Sequence, residues 1–151
     1  MIDVPLLALE ADTEDESALP IPRPVRAGDA AADLPARNAV LLQAGCRHLM
    51  PTGFSIALPV GSCGLLLPRS GLALKHGVTL LNSPGLVDSG YRGELKVLLH
   101  NTSNQPVQIQ RGDRVAQLLV LSIDQLNLVL TSTLPPGPDD RGEAGFGSSG
   151  A

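Results

Sequence analysis

Gly93-Glu94-Leu95-Lys96-Val97-Leu98-Leu99-His100 is the stretch whose reading decides the fold class. It begins with charged and apolar residues in alternation, from Glu94 to Val97. Successive side chains of an extended chain point to opposite faces, so the stretch suits a strand with one wet face. Outward from it, the apolar runs are equally short: 4–9, 39–42, 53–58, 63–67, 78–81, 107–110, 115–121 and 126–130, bounded by turn-forming residues. Many regular short runs punctuated by Gly and Pro predict an all-β sandwich or barrel. The abundance of Leu argues for helix, but few windows of ten residues escape a Pro or Gly, and the breakers outweigh the propensity. The one helical candidate is 70–76, two turns at most between Pro68 and Gly77.

The chain has 151 residues, 43% apolar and 17% charged, which fits one domain with a real core. Its aromatics are Phe54, Tyr91 and Phe146, so the core must be aliphatic and each ring needs its own explanation. No apolar run approaches the roughly 20 residues of a membrane-spanning helix, and no membrane association is expected. Cys46 and Cys63 are too few for a disulfide scaffold and have no Cys or His partner at metal-ligand spacing. Both read as small core residues. The net charge of −4 hides an asymmetry. Residues 1–16 hold six acids and no base, the reverse of a secretory signal, and predict a cytoplasmic chain. The remaining nine acids face all eleven Lys and Arg, a balance of +2 that can host an anion. There is no basic stripe interleaved with aromatics, so nucleic acid is not an expected partner.

Three parts follow along the chain. Residues 1–19 form an acidic segment, read as a first strand plus a flexible arm. Residues 20–134 form the body, entered through the Pro-rich connector at 20–24. Residues 135–151 are a Gly/Ser-rich arm behind Pro135-Pro136-Gly137-Pro138. Arg141 and Phe146, set among its small residues, suit an arm that closes over a ligand.

Five segments carry the chemistry. They are Ala27-Gly28-Asp29-Ala30-Ala31-Ala32-Asp33-Leu34, Pro68-Arg69-Ser70-Gly71-Leu72-Ala73, Asn82-Ser83-Pro84-Gly85-Leu86-Val87-Asp88-Ser89-Gly90-Tyr91-Arg92-Gly93-Glu94, Arg111-Gly112-Asp113-Arg114-Val115-Ala116-Gln117-Leu118 and Arg141-Gly142-Glu143-Ala144-Gly145-Phe146-Gly147-Ser148-Ser149-Gly150. In this order and spacing, from residue 27 to 150, they resemble the trimeric deoxyuridine triphosphate nucleotidohydrolases, the dUTPases.

The resemblance implies a single-domain jelly roll of the β-clip type, all-β, assembled as a homotrimer with exchanged C-terminal arms. It implies hydrolysis of dUTP to dUMP and pyrophosphate, which limits uracil in DNA and supplies dUMP for thymidylate synthesis. By the same resemblance Asp88 is the general base: a carboxylate within reach of a water orients it and accepts its proton as the bond to the α-phosphorus forms. Asp beside Ser89-Gly90 is otherwise an ordinary turn residue. Asn82 is placed at the pyrimidine and Tyr91 against the deoxyribose, leaving no room for a 2′-hydroxyl. The third segment reads as a hairpin, with an apolar strand ending at Asn82, a Pro-Gly turn, and the next strand beginning over 90–93. Backbone groups exposed there can pair with a uracil edge.

Arg69, Ser70 and Gly71 match triphosphate contacts at the start of the short helix, although a Ser cap beside a surface Arg is the plain reading of that segment alone. Gln117 matches a residue near the α-phosphate and the attacking water. In the arm, Phe146 matches the ring that stacks on uracil. Arg141, Ser148 and Ser149 match γ-phosphate contacts, with Gly147 allowing close backbone approach. Phosphoryl chemistry recruits Mg²⁺ and Arg against the charge of the phosphates. No carboxylate cluster here builds a protein cage, so Mg²⁺ is expected on phosphates and water, with Asp33 an outer-shell partner through water. Ala31 stands where the family tends to carry Gly, which matters if a positive φ is required there. Asp113 reads as structural, paired with Arg111 or Arg114, and His48, His76 and His100 as surface or strand-edge residues. The related dCTP deaminases usually carry Ser in place of Gly71 and use a Glu instead of the Asp–water arrangement; Gly71, Asp88 and Tyr91 favour dUTPase. A non-catalytic module on the same fold predicts a lost base or a lost arm, and both are present. Deleting residues 141–151 is expected to weaken turnover of dUTP greatly while circular dichroism shows the body still folded; an unchanged rate would remove Phe146 from the site.

Overall fold

The computed structural model describes residues 2–9 and 18–137. In chain order the elements are β1 (Leu6–Ala8), β2 (Ala32–Pro35), β3 (Val40–Leu42), β4 (Arg47–Ile56), β5 (Ser62–Leu67), α1 (Ser70–His76), β6 (Val78–Leu80), β7 (Gly85–Asp88), β8 (Glu94–Asn101), β9 (Val107–Ile109) and β10 (Arg114–Ser122). They build an all-β structure of two four-stranded sheets, ordered β1-β4-β8-β6 and β2-β10-β5-β7, with β3 and β9 as a separate pair. Every strand pairing among the described residues is antiparallel. Among the described residues no helix is long and apolar enough to cross a membrane.

β8 behaves as its alternation predicts. Leu95, Val97 and Leu99 are buried, whereas Lys96 is exposed and Glu94, Leu98 and His100 are half-buried. They join Leu34, Met50, Val78, Ile109, Val115 and Leu118 in an aliphatic core, and Phe54 is the one buried aromatic among the described residues. At the end of β8, buried Asn101 donates from Nδ2 to the carbonyls of Leu42 and Gln105 and accepts at Oδ1 from Ser103. This satisfies its amide inside the core, where an unpaired one costs about 1–3 kcal/mol. α1 covers the expected residues. It ends at Gly77, whose left-handed backbone (φ 66°) lets its N–H reach the carbonyls of Ala73 and Leu72. Its N-cap is Arg69, without a side-chain cap bond, so Ser70 is not a capping residue.

Several expectations are corrected. β2 and β7 were not among the expected runs: β2 carries Asp33 in its middle, and β7 lies inside the stretch read as a hairpin. That hairpin does not form. β6 pairs with β8, and β7 crosses to the other sheet to pair with β5, before the chain returns as β8 at Glu94 rather than over 90–93. β4 begins at Arg47 and runs through Pro51 and Gly53. The register slips between Pro51 and Ser55, and Gly53 sits there at φ 80° with its N–H bonded to the Glu94 carboxylate. No strand forms over 126–130; Leu126, Leu128, Val129 and Leu130 are exposed, with no strand of this chain beside them. Cys63 is a core residue as expected, but Cys46 is exposed because it lies in the turn before β4. Asp113 is structural, as read, and its carboxylate accepts from the Gln110 N–H across the turn at Gly112. Arg114 pairs instead with Asp33. His48 and His100 are half-buried on β4 and β8, and His76 is exposed.

Candidate functional site

The described site residues fall into two groups at opposite ends of the second sheet. The first surrounds the turn from β7 to β8. Asp88 ends β7, and its carbonyl accepts the Tyr91 N–H at 3.0 Å, which closes a tight turn. Arg92 Nη1 donates to the carbonyls of Ser89 (2.6 Å) and Tyr91 (2.8 Å) and fixes that turn from outside. The Tyr91 hydroxyl donates to the Glu94 carbonyl at 2.8 Å. The result is a cleft of about 220 Å³ lined by Asn82, Asp88, Tyr91, Leu95, Lys96 and Leu66, among others.

One wall of this cleft is backbone that has no strand beside it. Leu98 turns its carbonyl toward β6, accepting the Leu81 N–H at 2.9 Å. Antiparallel pairing alternates, so the N–H and C=O of Lys96 point to the same side as those of Leu98. Across β8, Lys96 faces Pro51, which has no N–H to offer. But β6 ends at Leu80, and the chain leaves for the other sheet. The Lys96 donor and acceptor therefore face the cleft. Sequence reading missed Lys96, because its functional groups are main-chain atoms exposed by a topology, not a side chain. Its one signal was its place in the strand leaving the third segment.

The second group is built on β2 and β10. Asp33 and Gln117 are direct register partners and share a face of the sheet. Both line a cleft of about 290 Å³ with Asp29, Ala30 and Ala31. The Asp33 carboxylate accepts from Arg69 Nε at 2.9 Å on one oxygen and from Arg114 Nη1 at 3.1 Å on the other. Arg69 Nη1 also donates to the Arg114 carbonyl. The arginine is thereby held through Nε and Nη1, leaving Nη2 for a further acceptor. Ser70 and Gly71 follow it, exposed at the start of α1. A Cβ at Gly71 meets nothing within 4 Å, so packing in this chain does not explain that glycine. The left-handed position of the first segment is Gly28, at φ 96°, one turn ahead of Ala31.

Within one chain the two groups do not meet. β7 and β2 are opposite edges of the sheet, and along β5 Asp88 lies beside Cys63 whereas Gln117 lies beside Leu67. Three strand spacings across and four residues along separate Asp88 from Asp33 by roughly 20 Å. Arg141, Phe146, Gly147, Ser148 and Ser149 lie outside the described residues. Among the described residues there is no cluster of three or more His, Cys, Asp or Glu able to cage a metal.

The sequence profile of the dUTPase family matches residues 17–150. The chain belongs to the dUTPase family. A deoxyuridine 5′-triphosphate nucleotidohydrolase of Leifsonia xyli is 47% identical over 99% of this chain and 91% of its own length. One of Corynebacterium jeikeium is 44% identical over 98% and 94%. Among solved structures, a mutant dUTPase of Staphylococcus bacteriophage 80alpha with dUpNHpp superposes with TM-score 0.86 at 23% identity, covering all of both chains. A mutant dUTPase from phage phi11 of S. aureus, solved for the coordination of a structural Mg(II) ion, superposes at 0.75 with 22% identity, covering 87% of this chain and 98% of that one. The dUTPase segments thus occupy β2, the β5–α1 junction, β7 to β8, and β10. Asp33→Asn is expected to weaken binding of inorganic triphosphate by roughly tenfold, the worth of one charge-assisted hydrogen bond of about 1.5 kcal/mol that no longer aligns Arg69. Calorimetry checks it, and unchanged affinity would separate Asp33 from anion binding.

Proposed function

We propose that this chain hydrolyses dUTP to dUMP and pyrophosphate, with the Asp88–Tyr91 turn facing the open backbone edge of Lys96 as the observation that carries the reading. Uracil presents a donor at N3 flanked by acceptor oxygens. The Lys96 N–H and C=O match one donor–acceptor step of that edge, and cytosine, whose N3 is an acceptor instead of a donor, would leave the Lys96 carbonyl unpaired. Asn82 borders the same cleft and Tyr91 bounds the sugar.

Asp88 stands at the rim of this cleft, where the 5′-phosphates leave it. Its carboxylate orients a water in line with the α-phosphorus and accepts the proton as the P–O bond to pyrophosphate breaks. Arg69 and the hydroxyl of Ser70 bind phosphate oxygens, and Gln117 holds the water or the α-phosphate without titrating. Phe146 from the arm stacks on the base, and Arg141, Ser148 and Ser149, next to Gly147, take the γ-phosphate. The donor set fits a metal that arrives on the phosphates: the second cleft has Asp33 and Asp29 but no cage. When bound, Mg²⁺ offsets the charge of the triphosphate, with Asp33 touching its water shell.

Because Asp88 and Arg69 lie far apart in one chain, the site is completed by a second copy, in a homotrimer. Support comes from the exposed apolar run 126–130, and from an apolar depression of about 390 Å³ lined by Val4, Leu6, Ala32, Ile56, Leu118 and Val120. An exchanged arm would cover both. The two sheets are then the jelly roll of a body spanning 20–134, with 1–19 and 135–151 as arms, in a cytoplasmic enzyme that limits uracil in DNA and supplies dUMP for thymidylate synthesis. Pyrophosphate release from dUTP, dCTP, dTTP and UTP, with Mg²⁺ and with chelator, tests this. Turnover confined to dUTP, lost with chelator and lowered at least about a hundredfold by Asp88→Asn, is expected. Fast dCTP turnover or a fully active Asp88→Asn variant would overturn it.

A further inference from the structure

The Tyr91 ring lies folded back over the next turn of its own backbone. A Cβ built on Gly93 would stand 2.5 Å from the Tyr91 hydroxyl oxygen and 2.7 Å from the ring carbon that bears it. Gly93 is exposed and nothing else crowds that Cβ as closely, so the glycine is spent on the ring and not on the fold. The hydroxyl reaches past it to the Glu94 carbonyl. Glu94 is in turn held from its side chain: Oε1 accepts the Gly53 N–H at 2.8 Å and Arg37 Nη1 at 3.3 Å, with 13% and 9% of the two charged side chains exposed. An ion pair so little exposed is well screened from water and fixes its partners in place.

We propose that Gly93 and Glu94 are positioning residues for Tyr91, and that the choice of deoxyribose over ribose is set by the missing Cβ of Gly93 and the tethered carbonyl of Glu94. The proposal rests on the placement of the sugar against Tyr91 given above. The ring is wedged between three fixed points. The Tyr91 backbone N–H is bound to Asp88, the hydroxyl end of the ring lies against Gly93, and the hydroxyl is bound to a residue clamped to β4. A ring so held cannot step back to admit one more oxygen. A side chain at 93 would meet the hydroxyl end of the ring first and push it away from Glu94, breaking the contact that holds it.

Tyr91 is the only tyrosine, and the chain has no tryptophan, so its fluorescence reports this ring alone. The experiment compares wild type, Gly93→Ala, Glu94→Gln, Tyr91→Ala and the double variant of Gly93→Ala with Tyr91→Ala. Two quantities are read: acrylamide quenching of Tyr91, and the ratio of kcat/KM for dUTP to that for UTP. Gly93→Ala is expected to raise quenching and to lower the dUTP preference by at least about tenfold. Glu94→Gln, which keeps an acceptor for Gly53 but loses the charge facing Arg37, is expected to do the same more weakly. In the Tyr91→Ala background, Gly93→Ala should change the preference by less than about twofold, because the residue through which it acts is gone. Wild-type quenching and preference in a folded Gly93→Ala protein would overturn the proposal, as would an equal loss in both backgrounds. Tyr91→Phe removes only the hydroxyl and gives a second reading should Gly93→Ala fail to fold: a narrowed preference supports the proposal and a wild-type one overturns it. If wild type itself fails to prefer dUTP over UTP, the sugar placement is what falls, and quenching alone then decides whether Gly93 and Glu94 hold the ring.

Discussion

An unfinished strand pairing underlies the proposed nucleoside cleft. β8 is bonded to β4 along its length but to β6 only over its C-terminal part, because the chain after Leu80 abandons that sheet and joins the other as β7. Backbone donors and acceptors next to an apolar wall demand partners. At Lys96 no neighbouring strand supplies them, so a flat ligand edge with one donor beside one acceptor would complete the sheet. The same departure carries Asp88 to the end of β7 and brings Tyr91 back to the mouth of the cleft. The proposed base recognition, sugar wall and base catalyst thus share one cause, a strand borrowed from one sheet by the other.

The other half of the chemistry depends on charge. Asp33 stands on an edge strand with an arginine on each oxygen. Arg69 and Arg114 offset the carboxylates of Asp33 and Asp29 beside Gln117, which leaves the site more receptive to an anion than two bare carboxylates would be. The Asp33 carboxylate also holds Arg69 by Nε, so the guanidinium is aligned before a ligand arrives, and less ordering entropy opposes binding. This group and the Asp88 group occupy opposite edges and ends of one sheet. The proposed base and the proposed anion site are therefore apart in one chain, and the proposed association of copies is what would join them.

Much of this was legible in the residues. The alternation from Glu94 to Val97, the turn formers and the two-turn helix at 70–76 follow from local physics, and the structure keeps them. β7 was hidden because Gly85 and Asp88, its ends, are also turn residues, and a strand of four residues is settled by the neighbour that receives it. β2 was hidden for a similar reason: an Asp in mid-strand reads as a loop until Arg69 and Arg114 arrive from distant positions to neutralise it. Residues 126–130 have strand composition but no strand beside them in this chain. Side-chain candidates such as Asp88, Tyr91 and Asn82 were found and do share a cleft. Lys96 was not, since the atoms it offers are the same in every residue and only topology exposes them.

Complementation between inactive subunits tests most directly that the catalytic centre is shared between copies. Asp88→Asn and Arg69→Ala chains, each inactive alone, would be unfolded, mixed in equal amounts and refolded together, and dUTP turnover measured. Random assembly of a trimer whose sites each draw Asp88 and Arg69 from different chains restores about a quarter of wild-type activity. A mixture no more active than the mean of its two components would contradict it, and would require Asp88 and Arg69 to serve one site from the same chain.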